Sequence, residues 1–191
     1  MKIAFVVYNG MTALDFAGMY DPLTRLRTMG FLPDLEYDVC ARTDPVTTHE
    51  GLRIIPDAGR VCRELSEYDY ILVPGGNSVE SLMQDTAFLN WITVDTKRTT
   101  IAAVCGGVLL LGAAGLLRTR RATTHPGLRE VLKRFAGEVS DSRVVKDGNI
   151  VTAGGVTASI DLGLYLCERM AGLQVRERIQ EQMDYRIYSV A

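Results

Sequence analysis

The stretch that most constrains this chain is Thr99-Thr100-Ile101-Ala102-Ala103-Val104-Cys105-Gly106-Gly107-Val108-Leu109-Leu110-Leu111-Gly112. Ile101 to Val104 is a short apolar run of the kind that forms a strand buried on both faces. It stops at a cysteine followed by two glycines, and an apolar segment of helix length follows at once. Strand, sharp turn and helix, with a nucleophile-type side chain at the corner, make the pattern of a nucleophile elbow. Small neighbours permit a strained turn that lifts one side chain above a sheet. A thiol at that corner faces a helix N-terminus, where unpaired N–H groups and the helix dipole favour its thiolate form. The alternative is that Cys105 is a small buried hydrophobe, as free cysteines commonly are. The paired glycines favour the reactive reading.

An elbow needs a sheet beneath it, and the rest of the chain supplies one. Lys2 to Tyr8 reads as a first strand, apolar throughout. Asn9-Gly10 turns it, and Thr12 opens a helix towards Met29 that Pro22 is expected to kink or restart. Leu35 to Ala41 is a second strand, Asp44-Pro45 a turn, and Leu52 to Ile55 a short strand ended by Pro56. Tyr70 to Val73 is a strand that runs into Pro74-Gly75-Gly76-Asn77, a loop of strong turn formers. Helical segments are expected from Ser78 to about Lys97. Beyond the elbow, Ala122 to Thr124 reads as a short strand and Pro126 to Phe135 as a helix with proline near its start. Arg143 to Val145 and Ile150 to Thr152 flank Asp147-Gly148, a hairpin signal. Thr157 to Met170 and Val175 to Met183 are closing helices. Strands alternating with helices predict an α/β fold: a mainly parallel sheet, covered on both faces, with its site at the carboxyl ends of the strands. A single domain over residues 1 to 191 is expected, because no low-complexity stretch or charged tail marks a second unit.

A formal net charge of −2 with mixed signs argues against nucleic-acid or membrane binding. No signal peptide is expected, and no apolar run reaches the ~18 residues of a membrane span. The four cysteines, Cys40, Cys62, Cys105 and Cys167, are widely spaced with no C-x-x-C, and only two histidines are present. That excludes the usual zinc sets, makes a disulfide framework unexpected, and suits a reducing cytoplasm. No metal or other cofactor is called for.

Candidate chemistry lies at three strand ends. Cys105 is the first. Asp15, in Met11-Thr12-Ala13-Leu14-Asp15-Phe16, follows the first strand. With Thr12 it has the spacing of a capping box, and it is equally placed for proton transfer. Gly75-Gly76 is the third: its backbone N–H groups, together with that of Gly106, can face a developing oxyanion. His125, in Thr123-Thr124-His125-Pro126, is either a partner for the thiol or a hydrogen-bonded structural residue, and a site-lining role suits it best. His49 lies in a polar turn and looks incidental. No G-x-S-x-G, G-x-G-x-x-G or G-x-x-x-x-G-K-[ST] occurs, which disfavours serine hydrolases and nucleotide-phosphate sites.

Several of these segments together resemble a known family. Leu14-Asp15-Phe16-Ala17-Gly18, Val73-Pro74-Gly75-Gly76, Ala103-Val104-Cys105-Gly106-Gly107 and Arg121-Ala122-Thr123-Thr124-His125 look like the ThiJ/PfpI superfamily, whose fold is similar to class I glutamine amidotransferase domains. Leu111-Gly112-Ala113-Ala114-Gly115-Leu116-Leu117 and Gly154-Gly155-Val156-Thr157-Ala158-Ser159-Ile160-Asp161 bring it nearest to the isocyanide hydratase branch. The resemblance runs from Lys2 to about Tyr185. It implies a flavodoxin-like three-layer sandwich, usually a homodimer, with Cys105 as the reactive thiol, Asp15 as its carboxylate partner, and Gly76 and Gly106 as oxyanion-type donors. It also implies a small-molecule substrate: an isocyanide hydrated to a formamide, with a glyoxalase or deglycase activity on 2-oxoaldehydes, or a redox-sensing or ligand-binding role for the thiol, as alternatives. Two residues depart from the hydratase pattern. Gly106 stands where threonine is usual, and Pro126 follows His125 where tryptophan is usual. Glycine directly after the cysteine, where protease-like members carry histidine, makes a peptidase unexpected.

Overall fold

The structure, a computed structural model, describes residues 1–57, 61 and 64–186. In chain order its elements are β1 (Lys2–Val6), α1 (Ala13–Thr28), β2 (Glu36–Cys40), β3 (Val46–Thr47), β4 (Arg53–Ile54), β5 (Tyr70–Val73), α2 (Val79–Leu82), α3 (Thr86–Ile92) and β6 (Thr100–Val104). They continue as α4 (Gly107–Ala113), β7 (Arg121–Ala122), α5 (Arg129–Leu132), β8 (Glu138–Val139), β9 (Val144–Asp147), β10 (Ile150–Ala153), α6 (Ala158–Ala171) and α7 (Leu173–Gln182). The main sheet has six strands in the order β2-β1-β5-β6-β10-β9. All neighbours pair in parallel except β9, which lies antiparallel to β10 at the edge. The five parallel strands follow the flavodoxin-like order, whose direction of growth reverses between β1 and β5.

The apolar strand runs are explained by burial on both faces, and the alternation of side chains divides the core in two. Ile3, Phe5, Leu72, Ala102, Val104 and Val151 face one way and pack with Met19, Leu23 and Leu26 of α1 and Leu162 and Leu166 of α6. Ala4, Val6, Ile71, Val73, Ile101 and Ala103 face the other way and pack with Phe88 and Ile92 of α3 and Val108 and Leu111 of α4. The result is the predicted α/β three-layer sandwich.

Four expectations need correction. Pro22 does not restart α1, which runs unbroken through it. The proline ring sits where α6 has no side chain: a Cβ on Gly163 would collide with Pro22 Cγ, and the Pro22 carbonyl accepts a bond from Cys167 Sγ at 3.3 Å. Tertiary packing therefore holds a helix that loses one internal hydrogen bond to proline. The expected helical run to Lys97 is two short helices, because the Asp85 side chain accepts the Phe88 N–H at 2.9 Å and starts α3 afresh. Pro126 to Phe135 is a 3-10 turn (Pro126–Leu128) followed by the one-turn α5. The strand near Ala122 is only β7, paired in parallel with β8. The hairpin around Asp147-Gly148 forms as expected, between β9 and β10. Cys62 lies outside the described residues.

Candidate functional site

The carboxyl ends of β1, β5 and β6 meet at the point where strand order reverses, and each delivers one of the predicted groups. Cys105 leaves β6 with φ +55°. A side chain held in that left-handed region costs about 1–3 kcal/mol unless its surroundings fix it. Here both of its peptide groups are pinned. Its N–H donates to Gly154 O at 2.8 Å, and its carbonyl accepts the Thr124 hydroxyl at 2.6 Å. Gly107 then lets α4 begin directly against the end of β5: a Cβ there would lie 2.5 Å from both the Val73 and Pro74 carbonyl oxygens. The elbow is therefore real, and the two glycines have separate reasons. Gly106 faces Val79, whose Cγ2 would be 3.0 Å from an added Cβ.

Asp15 is fully buried and does not cap its helix. Thr12 makes no side-chain cap bond, and the Ala13 N–H is taken instead by Glu50 Oε2 at 3.0 Å. The Asp15 carboxylate turns inward, where its Oδ2 accepts the Gly75 N–H at 2.9 Å. Gly75 is the hinge of the cluster. A Cβ on it would lie 2.6 Å from Gly106 N, 2.9 Å from Asp15 Oδ2 and 3.0 Å from Cys105 Cβ. The acid, the thiol and the elbow N–H thus surround one glycine. Gly76 is locked by the Thr12 N–H to Gly75 O (2.9 Å) and Asn77 N–H to Gly10 O (3.0 Å) bonds on either side of it. Its own N–H is not taken up by any backbone carbonyl of the described residues.

Burial pushes Asp15 up from 3.8 to about 7, against the lowering effect of the Gly75 N–H. Burial, and then the charge of Asp15, pushes the Cys105 thiol up to about 11, opposed by the backbone N–H groups of Gly106 and Val156 that face the sulfur. The expectation of a simply acidified thiol is corrected: α4 is only two turns long, and desolvation outweighs its N-terminus. The two shifts describe a pair that gives up its first proton around neutrality and its second only in alkali. Asp15 Oδ1 is buried with no hydrogen-bond partner, a position costly for a charged carboxylate.

His125 does not join this pair. Its ring lies against Gly155, where a Cβ would be 2.5 Å from Cδ2, and its Nδ1 accepts the Gly127 N–H at 3.1 Å. It lines the rim. His49, which looked incidental, meets the Asn77 amide at 2.6 Å beside the Gly76 loop. Two further residues of the site were assigned no role from the sequence. Val156 contributes an N–H to the sulfur from the turn before α6, and Tyr8 donates its buried hydroxyl to Pro74 O at 2.6 Å, fixing the loop that carries Gly75 and Gly76. Burial, then the charges of Asp15 and Cys105, raise the Tyr8 hydroxyl well above its ordinary value, so it remains a hydrogen-bond donor. Cys40 and Cys167 are completely buried, whereas Cys105 is half-buried. Among the described residues no helix is long and apolar enough to cross a membrane.

Comparison with known proteins finds relatives along most of the chain. The profile of the DJ-1/PfpI family matches residues 1–169. Isonitrile hydratase of Pseudomonas putida is 35% identical over 187 residues, covering 97% of this chain and 78% of the relative. A glutathione-independent glyoxalase of Caenorhabditis elegans, DJR-1.2, is 25% identical over 131 residues, or 68% of this chain and 70% of that protein. The crystal structure of a ThiJ/PfpI family protein from Pseudomonas syringae superposes with a TM-score of 0.82 at 32% identity, covering 100% of this chain and 77% of the other.

Proposed function

The chain belongs to the DJ-1/PfpI family, and on that premise we propose that it is a cysteine-dependent hydratase converting an isocyanide to an N-substituted formamide. The observation that carries this reading is the Cys105–Asp15 pair: a thiol on an elbow, two N–H groups at its sulfur, and a buried acid at about 7 beside it. An acid near the operating pH is suited to hold and release a proton within one turnover. In the reactive form the proton rests on the Asp15 carboxyl group and the charge on sulfur. The Cys105 thiolate attacks the terminal carbon of R–N≡C, forming the C–S bond, and Asp15 gives its proton to that same carbon. The product is the thioimidate R–N=CH–S–Cys105. Water then adds to the C=N carbon while Asp15 takes one of its protons and passes it to nitrogen. Collapse of R–NH–CH(OH)–S–Cys105 breaks the C–S bond, returns the hydroxyl proton to Asp15 and releases R–NH–CHO. The N–H groups of Gly76 and Gly106 are suited to the oxygen that forms in this step.

A second reading is a glyoxalase-type reaction on 2-oxoaldehydes. It is favoured by His125: with Nδ1 accepting from Gly127, Nε2 carries the ring proton, a donor for a carbonyl oxygen rather than a base. Purified protein incubated separately with cyclohexyl isocyanide and methylglyoxal decides between them. N-cyclohexylformamide formed by wild type and not by Cys105→Ala supports the hydratase. Consumption of methylglyoxal alone supports the second reading, and oxidation of Cys105 with neither turnover supports a sensor. We also propose a homodimer in the cytoplasm. Leu14 and Leu52, at 43% and 57% exposure, are close in the chain to Ala13 and Glu50, which meet at 3.0 Å, and are apolar side chains suited to a second copy. Light scattering at micromolar concentration should give twice the chain mass, and a monomer mass contradicts it.

A further inference from the structure

Beside the Gly76 loop lies a cleft of about 500 Å3 between α2, α4 and α5. Its volume falls within the range of small-molecule sites. Its walls are Val79, Met83, Leu109, Leu128, Val131 and Phe135, all buried or half-buried. The polar residues, Asn77, Glu80, Gln84 and Arg134, are exposed and stand at its mouth. The cleft borders the elements that carry the reactive centre. Gly76 forms part of its lining, Val79 is the neighbour against which Gly106 is packed, and Leu109 is one turn beyond Cys105 on α4. Leu128 enters from the turn that begins at His125.

The chemistry proposed above uses only the isocyanide carbon and nitrogen, and it leaves the substituent without a place. We propose that this cleft receives the N-substituent and selects bulky, uncharged alkyl or aryl isocyanides; this rests on the hydratase reading. A substituent there would replace water along six apolar side chains. A charged one would lose its hydration with no partner inside the walls, since Glu80 and Arg134 lie at the mouth and are of opposite sign. A methyl group would leave most of the cleft unfilled.

The test compares kcat/KM for cyclohexyl and methyl isocyanide in wild type, Val131→Trp and Met83→Trp, two variants that fill the cleft from opposite walls. Wild type should prefer the cyclohexyl compound, and each tryptophan should cut that preference by about tenfold or more, the scale of a lost apolar pocket. A ratio that stays the same in both folded variants overturns the inference and leaves the hydratase reading intact. If wild type makes no formamide from either compound, the hydratase reading fails. The cleft is then tested alone by the rates at which Cys105 reacts with N-cyclohexylmaleimide and N-methylmaleimide, each relative to free glutathione. A wild-type excess for the cyclohexyl reagent that the tryptophans remove sustains an apolar-substituent site. A ratio equal to that of glutathione overturns it, and needs no variant to fold.

Discussion

Replacing Asp15 by asparagine should change how stability depends on pH, and the change follows from the burial of one carboxyl group. Asp15 is completely buried in the folded state and is pushed from 3.8 to about 7. In the unfolded chain it ionises near the ordinary value. Between roughly pH 4 and pH 7 the folded protein therefore holds a proton that the unfolded chain has already released. This contribution to stability is fully present below the unfolded value and is lost as pH rises through about 7. At 1.36 kcal/mol per pH unit the loss is about 4 kcal/mol. Asparagine keeps the shape and an oxygen for the Gly75 N–H but has no charge to bury. Urea unfolding of wild type and Asp15→Asn at about pH 4 and about pH 8 isolates the effect, because the other carboxylates cancel in the difference. The variant should gain about 4 kcal/mol on wild type between the two conditions, while losing turnover. Parallel pH dependences, within about 0.5 kcal/mol, would show that Asp15 is not a strained, proton-holding acid, and the proposed proton transfers would fall with it.

Other consequences can be checked alongside. Limiting iodoacetamide followed by peptide mapping should label Cys105 before Cys40 and Cys167, which have no exposure; preferential labelling of either contradicts the site. Tyr8→Phe should cost about 1–3 kcal/mol by leaving the Pro74 carbonyl buried and unpaired, and should lower kcat by loosening Gly75 and Gly76; an unchanged melting curve and kcat would contradict that positioning role. Gly106→Thr should cost about 1 kcal/mol or more because Val79 must give way, and Val79→Ala should recover part of it in the double variant. Strict additivity of the two in thermal melts would show that the contact is not made.

The elements buried on both faces were the ones legible in the sequence. The apolar runs of β1, β5, β6 and β10 carry their own signal, and Cys105-Gly106-Gly107 announced an elbow that the +55° torsion and the Gly107 contacts with Val73 and Pro74 explain. What local pattern misread was settled by distant residues. Pro22 was expected to kink or restart its helix because nothing near it shows that Gly163, on another helix, makes room for its ring. Thr12 and Asp15 had cap spacing, but the Thr12 N–H that a capping-box acid would accept goes to Gly75 O, across the fold, and Asp15 turns into the site. The thiol looked acidified from its place before a helix, whereas its burial beside a carboxylate became visible only when β1, β5 and β6 were brought together. Val156 and Tyr8 act through a backbone N–H and a single long-range bond, which no side-chain motif records.

The proposed reaction is tested most directly by intact mass measurement of the protein quenched in acid during turnover of cyclohexyl isocyanide. Because the S–H adds across the isocyanide carbon and nothing leaves, wild type should show a transient species heavier by one whole isocyanide, mapped to Cys105 and absent from Cys105→Ala. Asp15→Asn should show less of it or hold it longer. Formamide production by Cys105→Ala at the wild-type rate, or turnover by wild type with the adduct on another residue, would contradict covalent catalysis at this thiol.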